Sequence, residues 1–183
     1  MEIVRSSRRS ISVEIRRDGS VLVRAPRRMS REQIDSFLEQ KRAWIEKHRR
    51  LMAEKQSAAA EMEKLSPAEL EGLAARARDD LVKRAAYFAP LVGVTYGRIT
   101  IRAQRTRWGS CSSRGNLNFN CLLMLAPDEV RDYVVVHELC HRRHMDHSPA
   151  FWAEVERVMP HWRERRRWLK ENGDLLLARL DNG

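Results

Sequence analysis

Apolar and polar residues alternate twice near the start of the chain, through Ile11, Val13 and Ile15 and again through Val21, Val23 and Ala25. Alternation of this kind gives a β-strand one apolar face. Asp18-Gly19 separates the two runs and suits a tight turn, so residues 10–26 predict an antiparallel hairpin. The pattern then changes period. Ser30 and Gln33 form a capping-box pair ahead of Ile34, Phe37, Leu38, Ile45 and Met52, which fall on a helical face. Residues 53–65 are rich in Ala, Glu and Lys, and their weak periodicity fits either an extension of that helix or a hinge.

Ser66-Pro67-Ala68-Glu69 opens a second helix with a cap, a proline at the first position and an acid at the third. Leu70, Leu73, Ala74, Ala77 and Leu81 form its stripe, and Pro90 is expected to close it. Alternation returns over 98–104 and again through Leu117, Phe119 and Cys121, with a turn-rich stretch from Gly109 to Asn116 between them. Residues 127–145 then predict the strongest helix. Pro127 suits its start, Asp128 and Glu129 complement the positive helix end, and Val130, Tyr133, Val134 and Val136 make it apolar all round. A buried helix that carries His and Glu needs a reason, because unpaired polar groups are costly there.

Composition narrows the class. The 183 residues hold 35 Lys+Arg against 25 Asp+Glu, a net charge of +10, and 43% hydrophobic residues. A chain of this length buries a core without staples, and wholesale disorder is excluded. Three cysteines (Cys111, Cys121 and Cys140) with no CxxC spacing argue against a disulfide framework and a zinc ribbon, and fit a cytoplasmic protein. No apolar run approaches a membrane span. The basic excess predicts attraction to phosphate-rich partners without naming one. Residues 1–28 alone carry eight arginines, so part of that excess belongs to the hairpin.

The chemistry concentrates in His137-Glu138-Leu139-Cys140-His141. Histidines at i and i+4 put two imidazoles on one helix face, where both reach one cation. Glu138 stands about 100° around the axis. From there it accepts a proton from a metal-bound water without ligating the metal. Two histidines compete as third ligand. His144 lies on the same stripe, but about 10.5 Å along the axis from His137. His147 is turned away in a continuous helix, yet Ser148-Pro149 reads as the cap and first residue of a new helix. The chain must therefore bend, and the bend can return His147 to the metal. Geometry favours His147, giving three ligands and one open position, a catalytic type of zinc site with one Zn²⁺ per chain. His144 then sits behind the ligands or on the surface.

Several segments together resemble the YgjP-like metallopeptidases. They are Thr106-Arg107-Trp108-Gly109-Ser110-Cys111-Ser112, Leu117-Asn118-Phe119-Asn120, Val134 through His141, and His147-Ser148-Pro149-Ala150-Phe151-Trp152. The resemblance implies an α+β fold with a zincin-like catalytic domain, the HExxH helix packed on a small antiparallel sheet. It also implies a metal-dependent hydrolase with His137, His141 and His147 as ligands and Glu138 as base. The expected units are an N-terminal hairpin and helix over 1–65 and a metallohydrolase domain over 66–183.

Around the motif, Arg107 reads as a group that stabilises developing negative charge, and Gly109 as a source of backbone freedom in a turn. Asn118 and Asn120 share a strand face that suits substrate backbone. A free edge at 98–104 or 117–121 would pair with an extended peptide. Residues 161–168 predict a basic helix whose tryptophans pack and whose arginines lie along the surface. The expected partner is a peptide or protein substrate, with no membrane. Two other readings use the same residues. One is a nucleoside triphosphate pyrophosphohydrolase with Arg102, Arg105, Arg107, Arg142 or Arg143 on the phosphates. The other is a nucleic-acid-binding module with a structural zinc closed by Cys111 or Cys121.

Overall fold

The computed structural model describes residues 1–16 and 18–180. The chain divides into two compact units, Met1–Glu61 and Met62–Gly183.

In the first unit, β2 (Ser12–Ile15) and β3 (Val21–Pro26) pair antiparallel as the alternation predicts. Gly19 takes the positive φ of the turn, 76°, and Asp18 accepts the Ser20 amide at 2.9 Å. A further strand, β1 (Glu2–Ser6), pairs parallel to the other side of β3, which becomes central. Helix α1 (Arg31–Gln40) carries both hydrogen bonds of the Ser30–Gln33 capping box. Its Ile34 is buried with Val21, Val23 and Ala25, and these four centre the small core of this unit. Helix α2 (Arg42–Glu61) resolves the ambiguity over 53–65. The chain is helical to Glu61 and leaves the helix just after it.

In the second unit, α3 (Pro67–Val92) starts at the Ser66–Glu69 capping box and buries Leu73, Ala77, Leu81, Ala85, Ala89 and Val92. The expected end at Pro90 is corrected to Gly93, in the left-handed conformation at φ 73°. Proline removes a single N–H, and the amides of Gly93 and Val94 close the last turn on the Ala89 carbonyl at 2.9 and 3.0 Å.

Strands β4 (Ile99–Arg102), β5 (Gly109–Cys111) and β6 (Leu117–Asn120) form a sheet in the order β4-β6-β5. The sheet is mixed, which corrects the antiparallel expectation: β4 runs parallel to β6 and β5 antiparallel to it. The stretch read as a turn from Gly109 in fact opens with β5. The tight turn that follows, closed by Ser112 N–H to the Asn116 carbonyl at 2.9 Å, delivers β6 antiparallel beside it. The strand at 117–120 is therefore central and offers no free edge, while 99–102 is an outer strand.

A short 3₁₀ helix (Cys121–Leu125) leads to α4 (Asp128–Cys140), followed by α5 (Pro149–Val158) and α6 (Trp162–Ala178). The helix predicted to 145 stops earlier. Arg142 and Arg143 amides bond back three residues to Leu139 and Cys140, which tightens and ends the spiral. The main core joins α3, the 3₁₀ helix, α4, β6 and Phe151 of α5. The result is an α+β fold. Among the described residues no helix is long and apolar enough to cross a membrane.

Candidate metal centre

Helix α4 places His137 and His141 one turn apart, with their Nε2 atoms 3.2 Å from each other. The chain turns after His141, and Asp146 accepts the Ser148 amide at 3.2 Å. Ser148 in turn caps α5 through the Phe151 amide. That bend returns His147, whose Nε2 lies 3.1 Å from His137 Nε2. The three donor atoms all lie within 4.8 Å of one another. The His144 side chain is not among them. Its backbone carbonyl is what matters, accepting a hydrogen bond from His141 Nδ1 at 2.9 Å.

These contacts test whether a cation fits. A neutral imidazole carries one N–H. With that proton on Nδ1 of His141, its Nε2 is a bare lone pair. Burial, and then the neighbouring His141 and His147, push His137 down to about 3, so its ring is neutral at physiological pH. His137 Nδ1 is buried with no hydrogen-bond partner, and the three Nε2 atoms face one another at 3.1–3.2 Å around His137, close enough to share one cation. A tetrahedral ion with bonds of about 2.0–2.1 Å keeps its nitrogens about 3.3 Å apart. Three imidazole nitrogens gathered within 4.8 Å are a donor set that suits zinc, so the residues present fit such an ion.

Aromatic rings fix the imidazoles. Phe151, fully buried, stacks on His141 with centroids 4.5 Å apart and meets His137 and His147 edge-on at 4.9 Å each. Trp152 stacks on His147 at 5.7 Å. Glu138 points to another side of α4 and is only 5% exposed. Burial pushes its carboxyl up to about 8, and the charge of Arg107 opposes that rise. Gly109 lies against it. A Cβ there would stand 2.6 Å from Glu138 Oε1, so the glycine is required by close approach, not by an unusual φ.

The other expected site residues are placed as follows. Arg107 is exposed, with its charge felt at Glu138. Asn118 Nδ2 donates to Ser110 Oγ at 3.2 Å, across the β5–β6 pair. Asn120 is buried and spent inside the protein. Its Nδ2 donates to the carbonyls of Gln104 (2.6 Å) and Arg107 (3.1 Å), and its Oδ1 accepts from Leu122 N–H. Arg142 is likewise committed, to the carbonyls of Thr95 and Ser113 at 3.0 and 3.4 Å. Cys111, Cys121 and Cys140 are free thiols, and none joins the cluster of donor atoms.

Sequence reasoning missed the roles of Phe151 and Trp152 as supports. The available signal was the stripe Phe151–Val155 after the Ser148 cap, which marks an inward face of α5.

The family model described as YgjP-like, metallopeptidase domain, matches residues 9–73 and 69–172. The chain belongs to this family. As a YgjP-like protein it carries the metallopeptidase domain with three histidines arranged so that they could bind a metal. No curated protein matches it. Two solved structures are similar to it over half of the chain. One is the zymogen of the metallopeptidase abylysin from Pyrococcus abyssi, at 22% identity and a TM-score of 0.46, covering 50% of this chain and 93% of that one. The other is the zymogen of jannalysin from Methanocaldococcus jannaschii, at 16% identity and a TM-score of 0.45, covering 50% of this chain and 95% of that one.

Proposed function

We propose that this YgjP-like protein is a zinc-dependent peptidase that hydrolyses a peptide bond with Glu138 as general base. The observation that carries this reading is the convergence of three imidazoles at the end of α4, the helix that also carries the buried side chain of Glu138. His137, His141 and His147 would hold the ion. The ion supplies Lewis acidity, lowering the pKa of water and polarising a carbonyl oxygen. Glu138 takes the proton of the attacking water and hands it to the leaving amine. Its burial favours the protonated state needed halfway through that transfer, and the charge of a bound cation would favour the ionised carboxylate that begins it. His141 keeps its tautomer through the His144 carbonyl.

Arg107, near Glu138, offsets negative charge developing at the carbonyl oxygen. Asn120 holds the segment that carries Arg107, and Asn118 ties β6 to β5. The outer edge of β5, against Glu138 through Gly109, offers main-chain groups to an extended peptide substrate.

The test joins metal analysis with activity. Purified protein is expected to hold one zinc per chain and to cleave unstructured, casein-like peptides. Glu138→Gln should retain the zinc and lose cleavage. Protein without stoichiometric metal, or hydrolysis that survives Glu138→Gln, overturns the reading. So does release of phosphate from nucleoside triphosphates in the absence of any peptide cleavage.

A further inference from the structure

Beyond the metal ligand His147, the rings continue. Trp152, stacked on His147, stacks in turn on Trp162 with centroids 4.3 Å apart and planes 15° from parallel. Arg166, one turn along α6 from Trp162, lies over both indoles, 4.9 Å from the Trp152 centroid and 5.9 Å from that of Trp162. The guanidinium is thus one indole away from a metal ligand. An extended substrate covers such a span with two or three residues at about 3.3 Å each.

Arg166 borders an open cleft of about 410 Å³ lined also by Trp162, Arg163, Arg167 and Lys170. Arg163 is neutralised by a bidentate pair with Glu156. Among the described residues, no carboxylate pairs with Arg166, Arg167 or Lys170. Trp162, in the same wall, keeps a buried Nε1–H with no acceptor. Among the described residues the cleft therefore presents three cations with no carboxylate paired to them. A guanidinium lying over an indole keeps its in-plane N–H groups free, and their fork matches a carboxylate.

We propose that Arg166, supported by Arg167 and Lys170, forms a carboxylate-binding subsite that selects peptide substrates bearing an acidic group a few residues from the scissile bond. The proposal rests on the peptidase reading and names its substrate class. Either an acidic side chain or a chain terminus supplies the same carboxylate chemistry.

The test is calorimetric binding of four hexapeptides to the zinc-loaded full chain. The peptides share one sequence, with Glu or Gln at a central position and a free or amidated C-terminus. The expected result is that one carboxylate, central or terminal, tightens binding about tenfold over its neutral counterpart. Which peptide gains identifies the source. Arg166→Gln should abolish the preference while leaving the neutral peptides unchanged. Arg166→Lys should restore part of it, because the charge returns without the fork. Equal affinities for all four peptides, no binding of any, or a preference that survives Arg166→Gln would each overturn the proposal. Carboxylate-selective binding without cleavage would count against the peptidase reading and leave the subsite standing.

Discussion

Gly109 of β5 meets the side chain of Glu138 so closely that a methyl group there would lie 2.6–2.9 Å from its Oε1, Cγ and Cδ. Strand and metal helix touch where only hydrogen fits. The carboxylate is thus located by the absence of a side chain on its neighbour. The position of Glu138 is a property of the sheet as much as of the helix that carries it.

Gly109→Ala is therefore expected to push Glu138 off its position. Overpacking should cost about 1–3 kcal/mol of stability. A displacement near 1 Å should lower kcat about a hundredfold. Zinc content should stay near wild type, because the histidines are untouched. Thermal unfolding, metal analysis and steady-state kinetics on one preparation check all three.

The histidines of the bend separate by which atoms they use. His147 presents its imidazole to the cluster, whereas His144 contributes a backbone carbonyl. His147→Ala should weaken zinc binding by more than about a hundredfold, beyond the loss typical of residues behind the ligands. His144→Ala retains the carbonyl and should bind zinc as wild type does. Competition with a chromogenic chelator reads both constants.

Phe151 acts as floor and wall for all three imidazoles and is itself fully buried. Phe151→Ala should cost about 3–5 kcal/mol, seen as a fall in Tm of about 10 °C. Phe151→Leu keeps most of the volume and should recover much of the stability, while zinc affinity stays below wild type because the stacked face is gone. Calorimetry with and without zinc distinguishes the two losses.

Away from the metal, Arg84 of α3 binds Asp80 on its own helix at 2.7 Å, and Asp128 (3.2 Å) and Asp132 of α4. Its side chain is 17% exposed; its removal leaves the part-buried Asp132 without this partner, while Arg131 remains beside Asp80 and Asp128. Arg84→Ala should lower stability by about 1–3 kcal/mol, a loss limited by the carboxylates' access to water. High salt should narrow the difference. Urea unfolding at two ionic strengths measures it, with zinc content unchanged.

Much of the molecule is legible because its signals are local. The turn at Asp18-Gly19, the Ser30–Gln33 and Ser66–Glu69 capping boxes and the Ser148 cap each depend on groups within four residues. The i, i+4 spacing of His137 and His141 likewise needs only a helix. The bend that frees His147 follows from the start of α5. Tertiary structure decided the rest. Five residues at Glu2–Ser6 carry too little periodicity to announce a strand, and β1 exists because β3 offers a parallel edge. Three residues at Gly109–Cys111 look like a turn until β6 pairs with them. Gly109 looks like a source of freedom until Glu138 arrives beside it, and Trp152 meets Trp162 only because α5 and α6 fold together. Such contacts draw their free energy from partners remote in the chain, and neither period nor composition encodes that distance. The sequence alone thus determined the His137–Glu138–His141 motif and the start of α5, and packing decided where Glu138 stands and which rings and cations lie beside the three histidines.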